Sequence, residues 1–272
     1  MQLRGVRDHL QRELDRGRAS LFMGAGFSSS ARDANGRAVP LGDELAGELF
    51  ELCFPSAERD ESTLQDLFHH ALRHHRPALE RLLRARLSID ASSLPEWYRW
   101  WFAPRWKRAW TLNVDLVERA ASERFGGDRP IESISALDGE RPSTVPPPDR
   151  ALAVVHLNGI IDRGCDQVTF ATTQYGRRLA SRDVWYSELA NELVHQSFVF
   201  VGTRLDESPL WQHLEGRDVR ERIADNGGAP RSFLVTTRLD RARRCLLQDF
   251  SIEWVRASAE DFAREVLAGL RA

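Results

Sequence analysis

Ala19-Ser20-Leu21-Phe22-Met23-Gly24-Ala25-Gly26-Phe27-Ser28-Ser29-Ser30 decides how this chain is read. A short apolar run stops at a Gly-X-Gly turn and small residues follow, which is how a buried parallel strand ends at a phosphate-binding loop. Gly24 has access to backbone angles closed to other residues, and Gly26 lets a phosphate approach the main chain without meeting a Cβ. The hydroxyls of Ser28, Ser29 and Ser30 are donors for that phosphate. The full dinucleotide fingerprint is not matched, because Ser29 stands where the third glycine would be. On this stretch alone two readings stay open: a phosphate loop, or a tight strand-to-helix turn that binds nothing.

Upstream, residues 2–17 read as an amphipathic helix, with Leu3, Val6, Leu10 and Leu14 at helical spacing. Downstream, residues 31–40 are polar, contain Gly36 and end in Pro40, and predict an exposed loop. Residues 41–53 and then 62–90 carry apolar side chains three and four apart, for one helix followed by one or two more. Trp97, Trp100 and Trp101 are expected to form the seam between this helical block and a sheet. A second strand ends at residues 109–112, with Asn113-Val114-Asp115 directly after it, and residues 116–125 read as a helix stopped by Gly126-Gly127. Residues 138–150, with Pro146-Pro147-Pro148, form an extended connection.

Residues 151–157 are an apolar strand interrupted by His156 and closed by Asn158-Gly159. Residues 170–173 suggest a short element, followed by a helix from about residue 181 to 195. Phe198-Val199-Phe200-Val201 is a buried strand with Gly202-Thr203-Arg204-Leu205-Asp206 at its carboxyl end. Two more strands lie at 232–236 and 252–255, with helices over about 238–249 and 259–271. Strands alternating with helices predict an α/β fold, a Rossmann-like doubly wound parallel sheet. The whole of 1–272 is taken as one domain, with a small helical insertion at about 43–105.

Composition narrows the function classes. A net charge of −2 gives no global case for nucleic acid or membrane as a partner. Cys53, Cys165 and Cys245 are odd in number and contain no Cys-x-x-Cys pair, so neither a disulfide framework nor a four-thiolate zinc site is expected. No secretory signal or membrane span is visible, and the default expectation is a cytoplasmic protein. His70 and His74 share a helix face at metal-ligand spacing, but no third ligand is in view and a polar helix surface is the preferred reading. No metal is expected.

Four strand ends carry glycine or polar residues: Gly24-Ala25-Gly26, Asn113-Val114-Asp115, Asn158-Gly159 and Gly202-Thr203. In a parallel sheet such ends lie along one edge, where ligands bind, so these groups are expected to meet in one crevice.

The order Gly-Ala-Gly-x-Ser, Thr-x-Asn-x-Asp, an apolar strand ending in x-Gly, then Val-Gly-Thr-x-Leu-x-Asp resembles the sirtuin-type NAD-binding fold, in particular the bacterial sirtuin-like domains that hydrolyse NAD in antiphage defence. The resemblance runs from about residue 18 to 256. It implies that Gly24, Ala25, Gly26 and Ser28 bind the NAD pyrophosphate and that the loop from Asp33 to Pro40 closes over the nicotinamide side. It implies that Asn113 holds the nicotinamide ribose or the attacking water, with Asp115 beside the nicotinamide pocket. Gly202 and Thr203 would meet the adenosine half, and Asp206 is similar to an acidic residue of the hydrolase branch. NAD would be substrate rather than resident cofactor, and the zinc ribbon usual in sirtuin deacetylases has no cysteines here to build it. The implied context is a bacterial effector working as a homo-oligomer or with a separate or fused sensor.

One departure divides the readings. The family's general base, a histidine before glycine, is Asn158 here, in Val155-His156-Leu157-Asn158-Gly159. Asparagine has no nitrogen that titrates near neutral pH. His156 lies on the same strand face, one repeat earlier, and either takes over the proton or sits satisfied beneath the site. Three functions follow: an NAD hydrolase using Asn113, His156 and Asn158; a degraded module that binds NAD or ADP-ribose and regulates a partner; and a protein deacylase.

Overall fold

The computed structural model describes residues 3–180, 183–205, 210–211 and 230–270. Seven strands form one sheet: β1 Ala19–Met23, β2 Ala109–Thr111, β3 Ile131–Ser135, β4 Leu152–His156, β5 Ser197–Val201, β6 Ser232–Val235 and β7 Ile252–Val255. Their order is β3-β4-β2-β1-β5-β6-β7 and every pairing is parallel. β1 is central, and all five of its residues are buried, as a strand covered on both faces requires. The chain first builds to one side of β1 and then crosses to the other with β5, so the β1–β5 boundary is a topological switch point.

Side-chain alternation along β1 divides the interior into two cores. Leu21 and Met23 face one core with Val199, Val201, Phe233 and Val235. Phe22 faces the other with Trp110, Phe198, Phe200 and Leu234. The first core is closed by α1 Leu3–Asp15 and by the helices between β1 and β2: α2 Ala25–Ser28, α3 Gly42–Cys53, α4 Leu64–His74, α5 Arg76–Leu87 and α6 Tyr98–Phe102. The second is closed in part by α9 Val184–His195, through Trp185, Leu189 and Leu193, and by the helix Arg241–Asp249 through Leu247. The helices on both faces are the doubly wound arrangement expected from the sequence.

The aromatic seam also forms. Phe27 of α2 meets the rings of Trp97, Tyr98 and Trp101 edge-on, with centroids 6.3, 5.2 and 5.5 Å away. Tyr98 Oη donates to the Phe27 carbonyl as well, so the helical block holds the glycine turn in place.

Several expectations need correction. β3 was not anticipated, because Ile-Glu-Ser-Ile-Ser at a sheet edge has no apolar run to read. The segment 31–40 is irregular and exposes six of its ten residues, as expected of a loop, but Ala31, Asp33, Val39 and Pro40 are buried. Asp33 accepts backbone N–H bonds from Asn35 at 2.9 Å and Arg37 at 3.0 Å, and pairs with Arg86 Nη1 at 2.6 Å. A polar residue satisfied this way turns inward, which polarity alone does not foretell. Residues 170–173 are no separate element, since Thr172 opens α8, Thr172–Ala180. The helix expected from 181 begins at Val184, where the Asp183 carboxylate caps the N–H groups of Trp185 and Tyr186.

Candidate active site

In the strand order, β4, β2, β1 and β5 are consecutive neighbours. The four polar strand ends therefore lie side by side on one edge. The β1 and β5 turns are in direct backbone contact: Gly24 N donates to Val201 O at 2.9 Å, and Gly26 N to Gly202 O at 2.8 Å. A Cβ on Gly24 would lie 2.6 Å from Gly202 O, and one on Gly202, whose φ is +68°, would lie 2.1 Å from Phe27 N. The glycines are thus required first by the approach of one main chain to another, and the Gly26 N–H is already spent on Gly202.

A cleft of about 720 Å³ opens over the ends of β1, β5 and β6 and the turn after β7. Ala25, Gly26, Gly202 and Thr203 line it, together with Ser29 and Arg204. This size lies within the range of small-molecule sites, roughly 300–1,000 Å³. Asp33 is not on its wall and instead ties 31–40 to α5. Asp206 lies outside the described residues.

Behind the lining is a buried polar network. Ser28 Oγ donates to Asp115 Oδ1 at 2.9 Å, and Asn113 Nδ2 donates to Gly24 O at 3.1 Å and Ser28 Oγ at 3.2 Å. Asp115 Oδ1 also accepts from Val117 N, at the start of α7 Val117–Phe125. Burial drives the Asp115 pKa up; the Ser28 hydrogen bond and His156 oppose this, Glu118 adds to it, and the result is about 6. Asn113 and Asp115 keep a little exposure, whereas Ser28, His156 and Glu118 have none.

His156 does not reach the cleft. Its Nδ1 is 2.9 Å from the Asn113 carbonyl and its Nε2 is 3.0 Å from Glu118 Oε1. Both ring nitrogens face acceptors, so the ring is held as an imidazolium. Burial lowers its pKa, but the Glu118 charge and hydrogen bonds reverse this and raise it above the ordinary value. For Glu118, burial is likewise outweighed by His156, and its pKa falls. The reading of His156 as the group that serves the ribose is corrected: strand alternation placed it on the right face but one layer too deep.

Asn158 is buried beside this network, its Nδ2 donating to Leu112 O at 3.0 Å and Tyr175 Oη at 2.8 Å. Its Oδ1 is a buried acceptor with no partner among the described residues. Glu118 and Tyr175 were not singled out from the sequence. Glu118 three residues after Asp115 was the available signal, because a carboxylate in the first turn of a helix favours the edge that ligands use. Nothing local marked Tyr175. His70 and His74 sit with ring centroids 4.6 Å apart, and no group of three potential ligands is placed to hold a metal among the described residues.

No family model matches the sequence, and no curated protein matches it. Among solved structures, one from a study of the mechanism and regulation of Sir2 enzymes superposes with a TM-score of 0.53 at 14% identity, covering 98% of this chain and 95% of that one. Sir2Af2 bound to a myristoylated histone peptide gives 0.42 at 12% identity, covering 96% and 95%. The parallel sheet, the crossover at β1 and β5 and the near-complete coverage of the first of these chains establish a sirtuin-like, Rossmann-type fold for this domain.

Proposed function

We propose that the chain binds NAD along the carboxyl edge of its sheet and hydrolyses the bond between nicotinamide and ribose. One juxtaposition supports this reading. A cleft of nucleotide size runs over the β1 and β5 turns, and the Asn113–Ser28–Asp115 cluster is bonded to the carbonyl of Gly24, the residue before the lining Ala25. The nicotinamide is cationic before the bond breaks, so the reaction needs a held ribose, a placed water and an acceptor for one proton more than it needs a strong acid. Water adds its oxygen to the ribose carbon, the bonding pair leaves with the nicotinamide nitrogen, and the proton released passes to Asp115. Asn113, fixed by the Gly24 carbonyl and Ser28, orients the ribose or the water. A carboxylate with a pKa of about 6 suits this work near neutral pH.

A second reading, a module that binds NAD or ADP-ribose without turnover, is favoured by the sealed His156 and by Asn158, which leave the edge with no cleft-facing imidazole among the described residues. Incubation with NAD separates the two. Nicotinamide release that falls at least tenfold in Asn113→Ala, with folding retained, supports hydrolysis. Saturable binding with no release supports the module. Release that depends on an added acyl-lysine peptide would replace hydrolysis with deacylation. The wider role, an effector of bacterial antiphage defence that is triggered through oligomerisation or a sensor, rests on the sequence resemblance alone. Its test is whether expression in infected cells lowers cellular NAD.

A further inference from the structure

At the opposite, amino-terminal edge of the sheet a second cleft of about 620 Å³ lies between the ends of α6 and α7 and the start of β3. It shares no lining residue with the first. Arg129 grips the carbonyls on either side of Arg105, donating to Pro104 O at 3.1 Å and Trp106 O at 3.2 Å, and also bonds Pro148 O at 2.6 Å. The Arg129 guanidinium is thereby fastened against the backbone of Arg105, near enough for the two charges to interact. Neither has a carboxylate partner among the described residues. Asp128 and Asp149 line the same cleft, are exposed, and pair with neither. Burial first, then the adjacent Arg105 charge, draws the Arg129 pKa below the ordinary guanidinium range, the signature of cations lacking a counter-charge. Phe102 and Phe125 supply an apolar wall.

We propose that this cleft is a second ligand site, for a phosphorylated small molecule whose phosphate bridges Arg105 and Arg129 and whose planar or apolar body lies against Phe102 and Phe125. Phosphate is favoured over carboxylate because its charge of about −1.5 to −2 at neutral pH balances two guanidinium groups. Guanidinium forks also match its oxygens bidentately.

The test is calorimetric titration of the full chain with phenyl phosphate, with phenol and with inorganic phosphate, at low and at 0.3 M added salt. The expected result is saturable phenyl phosphate binding, weakened at least tenfold by removal of the phosphate or by Arg105→Gln, and weakened by salt. Arg105 is the residue to replace because it is exposed, whereas Arg129 also holds three carbonyls of the fold. Arg204→Gln, in the first cleft, should leave this binding unchanged. No phenyl phosphate binding, binding indifferent to Arg105→Gln, or binding lost in Arg204→Gln instead would each overturn the proposal. Nicotinamide release from NAD is measured separately and tests the other cleft.

Discussion

His156 Nε2 stands 3.0 Å from Glu118 Oε1, and both side chains are sealed from solvent. Removing one member of such a pair strands the other charge in the interior, at a cost of about 3–5 kcal/mol. His156→Ala is therefore expected to lose that much in urea denaturation. Replacing both, as His156→Leu with Glu118→Met, should cost less than the single change. The raised His156 pKa stabilises the fold fully below its ordinary 6.5, and that contribution is lost as pH rises through the folded value. The lowered Glu118 pKa stabilises above its ordinary 4.5, and is lost as pH falls through the folded value. The pair thus contributes most between those two ordinary values, and a pH series of the wild type against the double variant should show its largest difference there.

Asp115 has the opposite effect near neutrality. Its pKa stands at about 6 against an ordinary 3.8, so its contribution is complete below 3.8 and lost as pH rises through 6. Asp115→Asn removes the buried charge and keeps an acceptor for Ser28. Relative to the wild type it should gain stability across that interval, by something on the order of 3 kcal/mol above pH 6. Thermal unfolding at pH 4 and pH 8 measures this. A stabilising change at a site of chemistry should also abolish nicotinamide release. A variant both more stable and fully active would remove Asp115 from the mechanism.

The contact between the β1 and β5 turns makes its own prediction. Gly202→Ala puts a Cβ 2.1 Å from Phe27 N at a φ of +68°. Overpacking costs about 1–3 kcal/mol, and the left-handed backbone angle adds roughly 1–2 for a residue with a Cβ. Gly176→Ala is the control. Gly176 lies within α8 with open space around its Cβ position, and there alanine should stabilise by about 0.5–1 kcal/mol.

The sheet was legible because its central strands are continuous apolar runs ending in glycine or polar residues, and the gathering of those ends follows from parallel pairing alone. The edge strand Ile131–Ser135 was not legible, since only two of its five residues are buried and its pattern is that of a loop. At the site, residue types were readable but depth was not. Asp33 and His156 both look like cleft residues in the sequence, and both face inward, because Arg86 in one case and Glu118 in the other arrives from a distant helix to neutralise it. Those partners lie 53 and 38 residues away in sequence, beyond anything local spacing reports.

Asn158 offers the sharpest functional test. Its Nδ2 is fully engaged by Leu112 O and Tyr175 Oη, while its Oδ1 is buried with no donor among the described residues. An orphaned acceptor at a strand tip costs stability unless a bound group supplies an N–H or O–H. If the resemblance assigns this position correctly, Asn158→His restores a titrating nitrogen where the proton is handled. General-base catalysis is worth about 10²–10⁴-fold, so nicotinamide release should rise at least tenfold and acquire a limb near the histidine pKa in its pH profile. Asn158→Ala serves as the counterpart. It discards the unpaired oxygen along with the two Nδ2 bonds, and leaves the Leu112 carbonyl without its donor. NAD binding should then weaken with no gain in rate. Should Asn158→His fold and bind NAD yet release nicotinamide no faster than the wild type, the proton is taken elsewhere, and Asp115 is left as the titrating group at this edge.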